Sequence, residues 1–223
     1  MVKDRNRTLI VGPCFCGKTY LIMKLLQELT LQEYDDVTTG VGTGVIIITQ
    51  SPEQYTDVAG TSVEGTDVVG TGVEYTIEDP NEMKSLEEYR GKVVVFDDVL
   101  DHKQKDLEPF FTRGRHKDID VYYLSQSYFD LPLRTIRNNS NIIILFQQTK
   151  NGVEHIYNDI AGLDMSSNEW KEICRKAWSG NAVENKYNYL QIDKTKDKME
   201  GRYTIRNANS NKIILIFPQT KPF

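Results

Sequence analysis

Residues 8–12, TLIVG, form a short apolar run that ends on a glycine. The next apolar residues, in GKTYLIMKLLQEL (17–29), recur at helical spacing. A strand that breaks on a glycine-rich turn and passes directly into a helix is the opening βα unit of a parallel sheet, and it constrains the chain more than any other feature. Further apolar runs agree with it: VIIIT (45–49), VVVF (93–96), IDVYYLS (119–125) and NIIILF (141–146). They are continuous rather than alternating, as in strands covered on both faces. The expected fold class is therefore α/β, with a mainly parallel central sheet flanked by helices. Between the third and fourth runs, residues 98–108 are expected to be helical up to the residue before Pro109.

The C-terminal part has a different texture. Residues 152–178 are expected to be helical, with Trp170 and Trp178 on the apolar face. KYNYLQI (186–192) and RYTIR (202–206) flank the polar turn DKTKDKMEG and predict a hairpin, and KIILIF (212–217) predicts a last strand before Pro218. These would add antiparallel C-terminal strands, a β-rich extension over 180–223 of a single domain spanning 1–223.

Two repeats interrupt this pattern. Residues 56–75 hold a pentapeptide Thr-x-Val-x-Gly four times over, the last copy ending in Tyr75 in place of Gly, echoed by TTGVGTGV at 38–45, with no Lys or Arg between 56 and 79. Such composition predicts a flexible surface insertion over 56–78. Separately, TIRNNSNIIILFQQTK (135–150) is repeated as TIRNANSNKIILIFPQTK (204–221), which predicts two strands entered by the same polar turn.

With 223 residues, 39% hydrophobic and 26% charged, the chain can bury a sizeable core and reads as ordinary globular protein. No apolar run approaches membrane-spanning length, and no small-residue cleavage site follows MVKDRNRTLIVG. The expected setting is intracellular and reducing, without secretion or membrane contact. Charge is uneven: residues 1–110 sum to −10 and residues 111–223 to +5. Contact with a polyanion, if there is any, belongs to the second half.

The turn after the first run reads Gly12, Pro13, Cys14, Phe15, Cys16, Gly17, Lys18, Thr19, Tyr20 and fits G-x-x-x-x-G-K-[ST]. Its glycines let consecutive backbone N–H groups turn inward towards phosphate, and the helix start adds its positive end. Lys18 would reach the β/γ oxygens and Thr19 would offer a hydroxyl to Mg²⁺. The two cysteines do not suggest zinc, which takes about four ligands. Only Cys174, His102, His116 and His155 remain, none at the spacing of a second ligand pair. A thiolate favoured by Lys18 and the helix start is the expected state of the loop cysteines.

VVVFDD (93–98) delivers Asp97 and Asp98 at the C-terminal end of a strand, the edge where parallel sheets bind ligands. Asp97 would hold the Mg²⁺ shell through water and Asp98 would orient an attacking water; capping of a following helix is the alternative. Gln126, where the next strand ends, can bond a γ-phosphate or a lytic water, or simply sit in a turn. Arg113 and Arg115 lie in a basic turn just upstream, either as fingers for a neighbouring subunit's nucleotide or as surface charges.

Taken together, GPCFCGKT, VVVFDD, TRGRHKDIDVYYLSQSYFDLP and IRNNSNIIILF resemble the FtsK/HerA superfamily of P-loop ATPases. They look most like its viral genome-packaging branch, and within it the ATPases of adenovirus-like Polinton/Maverick elements. The resemblance covers residues 8–160 apart from the insertion. It implies a P-loop NTPase fold that uses ATP and Mg²⁺. It also implies Lys18 and Thr19 at nucleotide and metal, Asp97 at metal, Asp98 as catalytic acid and Gln126 as sensor. Arg115 is implied as the finger acting in trans, with Arg113 in reserve. Many relatives carry glutamate where Asp98 stands. The implied partners are double-stranded DNA, further copies in a homo-oligomeric ring, and capsid or portal proteins. The implied activity is ATP-driven translocation of DNA into a capsid, in a host nucleus or cytoplasm, a viral factory or the virion. The competing expectations are a P-loop phosphotransferase or switch, and an inactive nucleotide-binding remnant. The sequence has no [NT]-K-x-D guanine motif; TKDK (195–198) does not satisfy it.

Overall fold

The computed structural model describes residues 5–34, 44–55, 75–129, 134–178, 187–208 and 213–217. The Thr-x-Val-x-Gly repeat at 56–74 and its echo at 38–43 lie outside the described residues. The strands are β1 (Arg7–Val11), β2 (Val45–Thr49), β3 (Tyr75–Glu78), β4 (Val93–Asp97), β5 (Asp120–Ser125), β6 (Ile142–Leu145), β7 (Asn188–Asp193), β8 (Tyr203–Asn207) and β9 (Ile213–Phe217). They form one mixed sheet in the order β3-β2-β4-β5-β1-β6-β7-β8-β9. The β2–β3, β2–β4, β4–β5 and β1–β6 pairs are parallel, and β6–β7, β7–β8 and β8–β9 are antiparallel. The α/β class with a mainly parallel sheet and antiparallel C-terminal strands is thus as expected.

The chain divides into two compact units. The first comprises Met1–Arg7, Thr19–Leu124 and Leu133–Asn139; the second comprises Thr8–Lys18, Ser125–Pro132 and Ser140–Phe223.

In the first unit every residue of β2, β4 and β5 is buried, which accounts for their continuous β-branched and aromatic sequences. Helix α1 (Lys18–Tyr34) buries Leu21, Ile22, Met23 and Leu26 along one side. Two expectations fail here. Tyr75–Glu78, expected as the end of the insertion, is strand β3, pairing Tyr75 with Val45 and Glu78 with Ile48. Pro109 does not end a helix but starts one: α2 (Glu108–Arg113) carries it in its first turn. A proline fits there because the N–H it lacks would have had no helical partner. A further helix, α3 (Arg134–Asn139), buries Ile136.

In the second unit the expected helix over 152–178 is two. Helix α4 (Lys150–Ile156) runs into a wider turn at Tyr157–Ala161, and α5 (Ser167–Trp178) follows. The break is held by side chains. The Tyr157 hydroxyl donates to Met165 O (3.1 Å), and Ser166 and Glu169 exchange bonds that open α5. Trp170, Ile173, Cys174 and Ala177 form the buried stripe of α5, with Trp170 edge-on to Tyr203. Both indoles are anchored, Trp170 Nε1 to Val153 O (2.8 Å) and Trp178 Nε1 to Leu145 O (3.2 Å). The expected hairpin is β7–β8, closed by a capping box at Asp197 and Glu200.

Candidate functional site

The turn between β1 and α1 belongs to the second unit as far as Lys18, and its shape follows from what its glycines lack. Gly17 has φ +101°, and a Cβ there would sit 2.8 Å from the Tyr187 ring. A Cβ on Gly12 would come within 2.6 Å of both Phe146 Cβ and Cys16 Sγ. Backbone bonds fix the start of the turn: Gly12 N donates to Ser125 O (3.1 Å) and Phe146 N to Val11 O (2.9 Å). Gln148 Nε2 adds a bond to Phe146 O (2.8 Å). The Ser125 bond places Gln126, exposed and one residue beyond β5, beside the turn.

Lys18 folds back over the turn, its Nζ donating to Gly12 O (2.6 Å) and Pro13 O (3.0 Å). Helix α1 has no acid in its first turn, so the positive end of its dipole is not offset by a carboxylate. Thr19 is partly exposed on this first turn and Tyr20 is half exposed. Pro13, Cys14 and Phe15 form the exposed crest; Phe15 is 96% exposed and left-handed at φ 59°. The cysteine expectation needs correcting. Burial pushes the Cys16 thiol up, outweighing the pull of the Lys18 charge, so Cys16 is a thiol rather than a thiolate. Cys174, buried in α5, is pushed up to about 12 by the same cause.

The acidic pair belongs to the first unit. Asp97, the last residue of β4, is 7% exposed and accepts from the Tyr55 hydroxyl (2.7 Å). Burial, and next the Asp97 charge, push the Tyr55 phenol far above its usual range, so it stays a donor. Asp98 is exposed and left-handed at φ 54°. Its Oδ2 accepts from Ser51 Oγ (2.6 Å). Ser51 is set by a turn at the end of β2, where its own N–H donates to Thr49 Oγ1 (3.0 Å). Asp98 is thus not a helix cap: the residues after it form turns, tied by Gln104 Nε2 to Val99 O (2.7 Å), His102 O (3.0 Å) and Leu100 O (3.2 Å). Arg113 ends α2 and Arg115 lies in the tight turn Gly114–Lys117; both are exposed.

Sequence reasoning missed Ser51, Tyr55, Gln148 and Tyr187. The only hint to the first two was polar residues directly after a buried strand, at the edge where such sheets bind ligands. The lysine-rich hairpin turn spends its charge locally. Lys196 pairs with Asp193 (3.2 Å), and Lys198 donates to Asp164 O (2.9 Å). Among the described residues no helix is long and apolar enough to cross a membrane.

A mainly parallel sheet in which the first strand turns through glycines into a helix, and another strand ends in two acids, is the fold of the P-loop NTPases. The chain is similar over its length to solved structures of one such protein, the genome packaging NTPase B204. The ATP-gammaS complex from Sulfolobus turreted icosahedral virus 2 is 18% identical, with a TM-score of 0.59 over 97% of this chain and 98% of that one. The sulfate complex is 16% identical, with a TM-score of 0.54 over 99% and 98%. The DNA-packaging ATPase B204 from Sulfolobus turreted icosahedral virus is 19% identical, with a TM-score of 0.56 over all of both chains. No family model matches the sequence, and no curated protein does.

Proposed function

We propose that this chain is an ATP-hydrolysing motor that works as a homo-oligomeric ring on double-stranded DNA and drives it into a viral capsid. The observation that carries the reading is Lys18 Nζ held over the Gly12 and Pro13 carbonyls, at the start of a helix without acids in its first turn. On binding ATP, Lys18 would exchange those carbonyls for β/γ-phosphate oxygens, and the Cys14–Gly17 backbone amides would surround the β-phosphate. Thr19 and Asp97 offer hard oxygen donors, the kind Mg²⁺ takes. They would hold the ion, which supplies charge neutralisation on the phosphates when bound. Asp98, turned outward by its left-handed backbone and steadied by Ser51, would orient the attacking water and accept its proton. Gln126 would bond the γ-phosphate or that water. Arg115 is the first choice as a finger reaching a neighbour's nucleotide, and Arg113 the second.

The solved packaging NTPases carry the same fold, one of them with ATP-gammaS bound, which supports packaging over other P-loop chemistry. Capsid or portal proteins would be the docking partners, and the host cell or virion the place of action. The test is steady-state ATP hydrolysis by wild type and Asp98→Ala, each with and without long duplex DNA, beside sedimentation for ring size. DNA-stimulated turnover that falls by about a hundredfold or more in the variant is expected. A wild type that binds ATP but never turns it over, with or without DNA, would overturn the reading.

A further inference from the structure

The turn as far as Lys18, the strand ends beside it and Tyr187 all belong to the second unit. The register within that unit fixes where Tyr187 stands. Val11 of β1 pairs with Leu145 of β6, and Leu145 pairs with Leu190 of the antiparallel β7. The residues before Leu190 therefore run past the carboxyl ends of β1 and β6, on the edge from which the glycine turn leaves. Tyr187 is the third of them, just ahead of β7. Its carbonyl accepts from Ala208 N (2.9 Å), which pins its backbone there. Ligands of such sheets bind outside this edge.

The ring reaches the turn itself. A Cβ on Gly17 would stand 2.8 Å from Tyr187 Cδ1 and 3.2 Å from Cε1, so one side of the ring lies against the last residue of the turn. The neighbouring aromatics are closed off: Tyr189 is buried against Phe146 (5.8 Å), and Phe146 in turn meets Gly12. Tyr187 differs from both in being partly exposed. It is covered by the turn on one side and keeps surface for a ligand on another. Phe15 is no such platform, because at 96% exposure nothing holds its ring in place.

Lys18 and the Cys14–Gly17 amides account for the phosphates of a nucleotide on this turn; its base, flat and largely apolar, has no receiver among them. We propose that Tyr187 is the stacking platform for the base of that nucleotide, and that it supplies affinity rather than rate. This rests on the nucleotide reading of the turn. An aromatic ring already held in place stacks on a base with little further loss of side-chain freedom. A contact made equally in the ground state and the transition state lowers KM and leaves kcat alone.

The test is calorimetric titration of the full chain, in Mg²⁺, with two probes. The β,γ-methylene analogue of ATP keeps the base and resists cleavage; inorganic tripolyphosphate keeps the phosphates alone. Tyr187→Leu is expected to weaken the analogue about tenfold and to leave tripolyphosphate unchanged. Tyr187→Phe, which retains the ring, should match wild type with both probes. In steady-state hydrolysis Tyr187→Leu should raise KM at unchanged kcat. Equal weakening of both probes would mean that the ring only shapes the turn, and an unchanged affinity for the analogue would put the base elsewhere; either result overturns the proposal. Failure of both probes to bind wild type would instead bring down the nucleotide reading of the turn, and this proposal with it. Absence of ATP turnover in the wild type would sink the motor and leave these titrations intact.

Discussion

The glycine turn and the acidic pair reach their shapes by opposite means. Around Gly12 and Gly17 the backbone is pressed against Phe146, Cys16 and Tyr187, so the turn depends on side chains being absent. At Asp97 and Asp98 the carboxylates are held by hydroxyls of Tyr55 and Ser51, so that site depends on side chains being supplied from elsewhere in the chain. The first kind of site fails by addition and the second by removal. A turn of the first kind tolerates almost no change in volume, whereas the second kind can be adjusted one hydrogen bond at a time.

The sharpest way to break this contrast is Gly12→Ala. The new Cβ meets Phe146 Cβ, which is fixed to a buried strand end, so overpacking of about 1–3 kcal/mol is expected. Nucleotide affinity should collapse with it, and adding Cys16→Ala should restore little; calorimetry and thermal melts read both. A Gly12→Ala protein of unchanged stability would remove the first half of the comparison.

Next in size is Tyr55→Phe, which leaves buried Asp97 one donor short and should cost about 1–3 kcal/mol. It also changes the pH dependence. Folding raises the Tyr55 pKa, so the folded protein holds that proton more tightly than the unfolded chain. The stabilisation is fully present below about pH 10 and is lost as pH rises beyond it. Melting temperature against alkaline pH should fall less steeply in the variant than in wild type. Tyr89, Tyr122, Tyr123 and Tyr203 are raised as well, so part of the slope will remain.

A smaller and opposite effect is expected from Asp98→Gly. Relieving a left-handed aspartate should stabilise the fold by up to about 1 kcal/mol while abolishing the proposed hydrolysis. Destabilisation in urea titrations would mean that the Ser51 bond outweighs the backbone strain. Smallest is thiol reactivity: exposed Cys14 should be alkylated before the partly buried, raised Cys16 at neutral pH, as peptide mapping would show. The reverse order would restore the thiolate expected from the sequence.

What the sequence disclosed follows the same division. The strand, turn and helix of residues 7–34 were legible because glycine spacing and hydrophobic period are local properties. The four buried strands after them were legible for the same reason. The Asp97–Tyr55 and Asp98–Ser51 bonds span 42 and 47 positions, and no local pattern announces them. The TIRN repeat gives the clearest case. Residues 135–138 are helical within α3, and residues 204–207 are strand β8, from identical sequence. Isoleucine is buried in both, Ile136 at 0% and Ile205 at 2%. Only the surface that receives it differs, and that surface overrides propensities worth a few tenths of a kcal/mol. The flanking copies diverge too: Ile143 is fully buried in β6, whereas its counterpart Ile214 is 50% exposed in β9.

The anchoring of Trp170 and Trp178 has a spectroscopic consequence. These are the chain's two tryptophans, and both belong to the second unit. Indole emission is therefore a lamp placed in one compartment, lighting α5 and its supports. The compartment with Asp97 and Asp98 contains no lamp of its own and must be watched through its tyrosines.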